Sequence, residues 1–198
     1  MKKTKHAAKT KVATVEKLDR KVARVAGSKR DTPIVKAVGT ISDLADQPPL
    51  ITISTLTIAA GVVVGRDRLV RTGVRMLASH LLATQMKSFV KHRVDRTRPF
   101  VILRGDEYHA RKGTSHAKRE NSFPSGHTAG AVAVARAVAR DFPASAPIGY
   151  TAAATAAAVQ LPRAAHFASD VLVGAMIGLA AEALVALVLP AGQSRSEP

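Results

Sequence analysis

The chain has 198 residues, of which 46% are hydrophobic and 4% aromatic, and its formal net charge is +16 with a pI near 11.0. The lack of cysteine excludes disulfide frameworks and thiolate metal or redox sites. The charge predicts an anionic partner, either a nucleic acid, an anionic lipid or a phosphorylated molecule. Because the chain has no Trp, few rings for base stacking and no nucleic-acid-binding motif, we favour a membrane or a phosphorylated ligand and expect no nucleic acid partner.

Residues 1–46 form a basic segment that we treat as separate from the body of the chain. Apolar residues recur there at steps of three and four and predict an amphipathic helix with a cationic face: Val12, Val15, Leu18, Val22 and Val25. Such a helix is typical of a segment that lies on an anionic membrane, although a solvated tail fits the composition equally well. Residues 33–46 predict a second, short helix. No cleavable signal sequence is evident, so we expect internal segments to make the membrane contact.

Residues 47–190 alternate apolar segments with polar breaks and predict an all-α, multi-helix membrane bundle of about five core helices. The predicted helices cover residues 47–65, 66–90, 126–140, 146–160 and 168–189. Residues 94–124 lack apolar periodicity and strand alternation. They predict a long polar loop between the second and third core helices, and a loop of this length is usually functional.

The last predicted helix, residues 168–189, is the most apolar segment of the chain. Its small residues Gly174 and Gly178 predict close packing against a neighbouring helix. We expect its one carboxylate after the first turn, Glu182, to pair inside the bundle or to lie near an interface. Residues 191–198 are expected to form a C-terminal tail.

Three short segments carry residues suited to phosphate chemistry. In the first, Lys91 and Arg98 stand seven positions apart at a predicted helix end, directly before Pro99. On a continuous helix they would lie two turns apart on nearly one face. Lys as a point charge and Arg as a two-pronged donor could then clamp one phosphate. Taken alone, this segment also fits a run of cations at a membrane boundary.

The second segment is Pro124-Ser125-Gly126-His127, which directly precedes an Ala-rich helix. Ser125 is a natural N-cap, and Gly126 allows the backbone to approach a ligand closely. The unpaired N–H groups of a helix start bind anions, and His127 would stand beside them for proton transfer.

In the third segment, Arg163, His166 and Asp170 follow at steps of three and four, so on a helix they would share one face. An Asp one turn after a His can accept its Nδ1–H, which leaves Nε2 as a nucleophile. A His–Asp pair alone is more often structural than catalytic. The two preceding phosphate-suited segments favour catalysis here.

In this order the three segments resemble the motifs of the type 2 phosphatidic acid phosphatase superfamily, which also contains vanadium haloperoxidases and bacterial acid phosphatases. The resemblance covers about residues 50–190. It implies a metal-independent phosphatase with no cofactor, whose phosphate-binding groups would be Lys91, Arg98, Ser125 and the amide of Gly126. It further implies that His166 attacks phosphorus and that Asp170 orients it. His127 would protonate the leaving group and later activate water.

One position departs from the family pattern. The family has an Arg six residues before the nucleophilic His, and Gln160 stands there in this chain. Arg163 lies three residues before His166, and we predict that it takes over this phosphate contact because it would share the helix face. On this reasoning, replacing Arg163 by Ala should impair turnover as severely as replacing Arg98.

The resemblance and the apolar helices together predict a multi-pass phosphatase of the bacterial inner membrane. Its substrate would be a lipid phosphomonoester or pyrophosphate, such as a polyprenyl phosphate or pyrophosphate, a phosphatidic acid or a phosphatidylglycerol phosphate. The basic N-terminus and the cations of the 94–124 loop predict a site that faces the cytoplasm. The alternatives are a non-catalytic basic membrane protein that binds anionic lipid or nucleic acid, a soluble-type acid phosphatase of the same superfamily, and a haloperoxidase-like enzyme.

Overall fold

The computed structural model describes residues 2–115 and 117–190, and the tail predicted for residues 191–198 lies outside these. The all-α bundle is confirmed. In chain order its helices are α1 (Lys2–Gly27), α2 (Pro33–Ser42), α3 (Gln47–Val63), α4 (Asp67–Lys91), the single turn α5 (Pro99–Ile102), α6 (Gly126–Asp141), α7 (Ala146–Ala158) and α8 (Ala168–Val188).

The bundle is built around α6, which packs against α4, α7 and α8, while α3 packs against α4. The predicted role of the two glycines in α8 is confirmed. A Cβ atom on Gly174 would lie 2.5 Å from the Ser125 carbonyl oxygen, and one on Gly178 would lie 2.5 Å from that of Ala129. Because both contacts advance together along the chain, α6 and α8 run parallel and begin at the same end of the bundle. Their positive dipole ends therefore point the same way.

The polar connection between α4 and α6 is more ordered than the sequence predicts. Two short strands, β1 (Val94–Arg96) and β2 (Ala110–Lys112), pair antiparallel with Val94 opposite Lys112. The prediction of a strand-free loop is therefore wrong. Strands of three residues are too short to produce a visible apolar alternation. They fasten this connection over the end of the bundle where α4 stops and α6 begins.

Of the residues that the structure describes, only those of α8 form a helix that is both long and apolar enough to cross a membrane. The apolar helix α3 is shorter, at 17 residues. Large apolar side chains stand exposed on the outer face of α8: Leu172, Met176, Leu184, Leu187 and Val188. The predicted pairing of Glu182 is confirmed, because the Nε atoms of Arg136 and Arg140 each lie 2.6 Å from its carboxylate.

The basic N-terminal segment folds against the bundle rather than away from it. Helix α1 packs on α5 and α8, and α2 packs on α7. The short helix predicted for residues 33–46 is α2 together with a 3₁₀ turn at Asp43–Ala45. This turn brings the carboxylates of Asp43 and Asp46 to the end of the bundle at which α4 stops.

Candidate active site

A polar cavity of about 860 Å³ opens at this end of the bundle. Its walls come from α2, α4, α5, the start of α6 and the turn between α7 and α8. All but two of the predicted site residues line it; Ser125 and Asp170 lie directly behind the wall. Cationic side chains dominate the lining: Arg30, Lys36, Lys87, Lys91, Arg98, Arg104, Lys118 and Arg163. Such a surface attracts an anion, and a low-dielectric wall strengthens the attraction.

His166 is 3% exposed and lies at the base of the cavity. Its Nδ1 lies 2.6 Å from the main-chain carbonyl oxygen of Ser122. Because a carbonyl oxygen only accepts hydrogen bonds, Nδ1 must carry the proton, and the lone pair of the neutral ring is on Nε2. Burial lowers the pKa of His166 well below its ordinary value, and the charges of Arg98 and Lys91 lower it further. The ring is therefore neutral at pH 7, the form that a nucleophile requires.

Asp170 supports His166 less directly than the sequence predicts. Its Oδ2 lies 3.9 Å from His166 Nδ1, so the predicted hydrogen bond between them is wrong. This oxygen instead accepts the Phe167 N–H at 2.8 Å and the hydroxyl of Ser122. The reason is that α8 begins only at Ala168, which places Asp170 in the first turn, where its carboxylate caps the helix N-terminus. Asp170 therefore fixes the Ser122 segment, and Ser122 fixes the imidazole.

Lys91 and Arg98 both reach the cavity, but not on one helix face as predicted. Helix α4 ends at Lys91, the chain then forms β1, and Arg98 is the N-cap residue of α5. One Arg98 nitrogen donates to the carbonyl of Asn121 at 3.2 Å. Among the described residues no group accepts its buried Nε–H. A buried guanidinium donor without an acceptor is suited to an anionic ligand.

The start of α6 has the predicted geometry. The Ser125 side chain accepts the Thr128 N–H at 3.4 Å, so Ser125 is the N-cap, and it is fully buried. A Cβ atom on Gly126 would lie 3.2 Å from Cδ of Lys87, a cavity cation that the sequence reasoning missed. Lys87 stands one helical turn before Lys91 in an otherwise apolar part of α4, and this spacing could have revealed it.

His127 lies on the cavity wall opposite two carboxylates of the N-terminal segment. Its Nε2 is 3.2 Å from Asp46 Oδ1 and 3.4 Å from Asp43 Oδ1, distances typical of an ion pair, although neither contact has hydrogen-bond geometry. In the described part of the chain, these three side chains form the one cluster with ligand atoms close enough to hold a metal ion. Asp43 is already paired with Arg163, and a guanidinium at this distance opposes a second cation.

Arg163 lies in the turn between α7 and α8, so its predicted place on a shared helix face with His166 is wrong. Helix α7 ends at Ala158, Pro162 follows, and Ala164 has a positive φ of 53°, which a right-handed helix does not allow. One nitrogen of Arg163 donates to Asp43 at 2.7 Å and to the Gly39 carbonyl at 2.9 Å. Burial disfavours the charge of Asp43, but its hydrogen bond to Arg163 and the Arg163 charge outweigh this and lower its pKa.

Gln160, at the position of the family Arg, is 1% exposed and lines the same cavity. Its amide nitrogen donates to the Ala156 carbonyl at 2.9 Å and lies 3.4 Å from the Ser42 hydroxyl. Arg163 donates to the same hydroxyl at 2.9 Å. The two side chains therefore meet at the end of α2, and Arg163 approaches the cavity from there.

The fold and this cavity define a class of protein: an all-α bundle with a histidine-containing, cation-lined anion site at one end. The sequence model of the PAP2 superfamily matches residues 72–193, more than half of the chain, and the chain belongs to that superfamily. The resemblance of the three motifs to the type 2 phosphatidic acid phosphatases is thereby confirmed.

Two solved structures share the fold. The transmembrane PAP2-type phosphatidylglycerolphosphate phosphatase from Bacillus subtilis has a TM-score of 0.61 and 20% identity, with 88% of this chain and 86% of that chain covered. LpxE from Aquifex aeolicus has a TM-score of 0.58 and 18% identity, with 83% of this chain and 92% of that chain covered. At these identities the likeness establishes the fold alone. No curated protein sequence matches this chain.

Proposed function

We propose that the chain is a metal-independent phosphatase that hydrolyses a lipid phosphomonoester or pyrophosphate through a phosphohistidine on His166. The observation that carries the proposal is the hydrogen bond from His166 Nδ1 to the Ser122 carbonyl at 2.6 Å. It holds the ring in the tautomer whose Nε2 is nucleophilic, beside a cavity lined with cations. A phosphate group is the ligand that uses both features together.

The phosphate oxygens would be held by Lys91, Arg98 and the N–H groups at the start of α6. Lys87 is a further candidate, because it lies against Gly126. Ser125 supports this helix start as its N-cap. These donors would stabilise the charge that spreads over the equatorial oxygens as phosphorus is attacked, which is the largest contribution to catalysis of phosphoryl transfer.

In the first step Nε2 of His166 forms a bond to phosphorus while the bond from phosphorus to the leaving oxygen breaks. His127, in its protonated form, gives a proton to that oxygen. Burial lowers the pKa of His127, whereas Asp46 and Asp43, which lie within 3.4 Å of its Nε2, oppose this and favour the protonated form. In the second step His127 removes a proton from water, the hydroxide attacks phosphorus, and the bond from phosphorus to Nε2 breaks to release phosphate.

The lipid character of the substrate is supported by the surface of the bundle. Helix α8 is long and apolar enough to span a bilayer, and large apolar side chains stand exposed on α3 and α8. The solved structures that share the fold include a transmembrane phosphatidylglycerolphosphate phosphatase. Polyprenyl phosphates and pyrophosphates, phosphatidic acids and phosphatidylglycerol phosphates all place a phosphate at the membrane surface, where this cavity would lie.

We further propose an inner-membrane protein whose cavity faces the cytoplasm. Helix α1 packs on α5 and α8, so the basic N-terminal segment lies at the same end as the cavity and the cations of the α4–α6 connection. Positive residues accumulate on the cytoplasmic side of membrane proteins. The outer face of α1 exposes Val15, Leu18 and Val25 next to lysines, which suits a helix lying on an anionic membrane.

A phosphate-release assay on a panel of lipid phosphates tests the proposed function. The wild-type protein should release phosphate from at least one lipid substrate, with equal rates in the presence and absence of EDTA. Replacing His166 by Ala should abolish release, whereas replacing the exposed His92, which lies outside the cavity, should not. Activity that EDTA removes would contradict the metal-independent mechanism. Release by the His166→Ala variant would contradict the role of His166.

A further inference from the structure

A carboxylate on the N-terminal helix is buried against the catalytic end of α8. Asp19 is 3% exposed. Its two oxygens accept the main-chain N–H of Ser169 at 3.1 Å and the Ser169 hydroxyl at 2.5 Å. The same carboxylate accepts a hydrogen bond from Arg96 at 2.7 Å. Asp19 lies outside the segment that matches the PAP2 superfamily, so the family motifs assign it no role.

Arg96 connects Asp19 to the support of the nucleophile. Its side chain is 6% exposed, and its two terminal nitrogens point to different carboxylates, one to Asp19 and the other to Asp170. The guanidinium also lies over the Phe167 ring, 4.3 Å from the ring centroid. A planar guanidinium held at both ends and stacked on a ring has little freedom to move.

The chain of hydrogen bonds continues from Asp170 to the nucleophile. Asp170 accepts the Ser122 hydroxyl, and the carbonyl of Ser122 accepts the His166 Nδ1–H. We propose that Asp19 is a positioning residue of the active site: through Arg96, Asp170 and Ser122 it holds the imidazole of His166 in orientation and tautomer. This inference rests on the proposed role of His166 as the nucleophile.

A purely structural role explains this arrangement less well. A buried ion pair contributes little net stability, because the loss of hydration offsets the attraction between the charges. An apolar contact would dock α1 onto α8 at least as firmly, and Ala23 and Gly27 already bury the same side of α1. What a carboxylate adds is a fixed direction for the Arg96 guanidinium, and hence for Asp170.

The test replaces Asp19 by Asn, which keeps the size of the side chain and removes the charge that holds Arg96. The matched control is Asp67→Asn, which changes an exposed carboxylate at the end of α4 that is far from the cavity. We expect kcat to fall at least about tenfold in Asp19→Asn, with KM within about twofold of wild type, because the phosphate-binding cations are untouched. The control should match wild type in both constants.

A second variant identifies the route of the effect. In an Arg96→Gln background the connection is already broken, so adding Asp19→Asn should lower kcat no further. Losses that multiply in the double variant would overturn the proposed route. Unchanged kcat in Asp19→Asn would overturn the positioning role altogether, and so would a rise in KM with kcat unchanged.

Nitrogen-15 NMR of histidine-labelled protein tests the same connection without activity. The wild-type His166 should give the signals of a ring protonated only on Nδ1, and Asp19→Asn should give a mixture of tautomers. An unchanged His166 spectrum would overturn the inference. If wild-type protein releases no phosphate from any substrate, the proposed function fails, and the NMR result still decides whether Asp19 positions His166.

Discussion

His166 donates its Nδ1–H to the main-chain carbonyl of Ser122 at 2.6 Å, and not to the carboxylate of Asp170, which lies 3.9 Å away. A neutral carbonyl fixes the tautomer without adding a negative charge next to the ring. Burial and the charges of Arg98 and Lys91 lower the pKa of His166, and the hydrogen bond to Ser122 offsets this only in part. His166 therefore stays neutral, the form that a nucleophile requires, in mildly acidic solution.

The pH profile of kcat/KM should reflect this low pKa. Activity requires neutral His166 and is lost as pH falls through its pKa, so the acidic limb should lie below pH 6.5, the ordinary value for His. Replacing Arg98 by Gln removes a nearby positive charge, which raises the pKa of His166 and moves the limb to higher pH. Arg119→Gln, at an exposed site outside the cavity, is the control and should not move it. An acidic limb that Arg98→Gln leaves in place would contradict this electrostatic account.

The two histidines should respond differently to the leaving group. With an alkyl phosphate, His127→Ala should lose about 100- to 10,000-fold in kcat, because no acid protonates the leaving oxygen. With p-nitrophenyl phosphate, whose leaving group needs no proton, the same variant should release a rapid burst of one p-nitrophenolate per protein and then turn over slowly. His166→Ala should show no burst. A His127→Ala variant that gives no burst with p-nitrophenyl phosphate would argue against its role as general acid.

The contacts of Arg163 change the prediction from motif spacing that Arg163→Ala impairs turnover as severely as Arg98→Ala. Arg98 has a buried Nε–H with no acceptor among the described residues, whereas Arg163 is paired with Asp43. We therefore expect Arg98→Ala to lower kcat/KM by at least about 100-fold, and Arg163→Ala to cause a clearly smaller loss. Steady-state kinetics of both variants and of Asp43→Asn measure this difference. An Arg163→Ala loss as large as that of Arg98→Ala would instead support direct phosphate binding by Arg163.

The orientation in the membrane can be measured with single cysteines, since the chain has none of its own. Glu107 is exposed at the cavity end, and Val64 is exposed in the turn between α3 and α4 at the other end. In intact bacterial cells, a membrane-impermeant maleimide should label Val64→Cys and not Glu107→Cys, and permeabilised cells should label both. The reverse pattern in intact cells would place the cavity on the outer side.

The features that local physics controls could be predicted from the sequence. Apolar segments and prolines gave the core helices to within a few residues, and the Ser125 cap followed from a preference that acts over three residues. The predicted pairing of Glu182 followed from the high energy of an isolated charge in an apolar helix. The three motifs gave the superfamily, although they lie in separate parts of the chain.

The contacts between distant segments could not be predicted. Spacing suggested Asp170 as the partner of His166, but the partner is Ser122, 44 positions earlier. Spacing also suggested a helix through Arg163, but α7 ends at Ala158 and Arg163 lies in the turn that follows. Nothing in the sequence pattern places Asp43 at the cavity or Asp19 against the start of α8, because both arrive from the N-terminal segment through tertiary packing.

Trapping the covalent intermediate tests the proposed phosphohistidine mechanism most directly. Wild-type protein is mixed with a lipid substrate carrying ³²P in its terminal phosphate, quenched within one turnover and separated from free substrate. We expect labelled wild-type protein whose label survives alkali and is lost in acid, as is typical of phosphohistidine, and no labelling of His166→Ala. Label that survives acid, or labelling of His166→Ala equal to wild type, would contradict this mechanism.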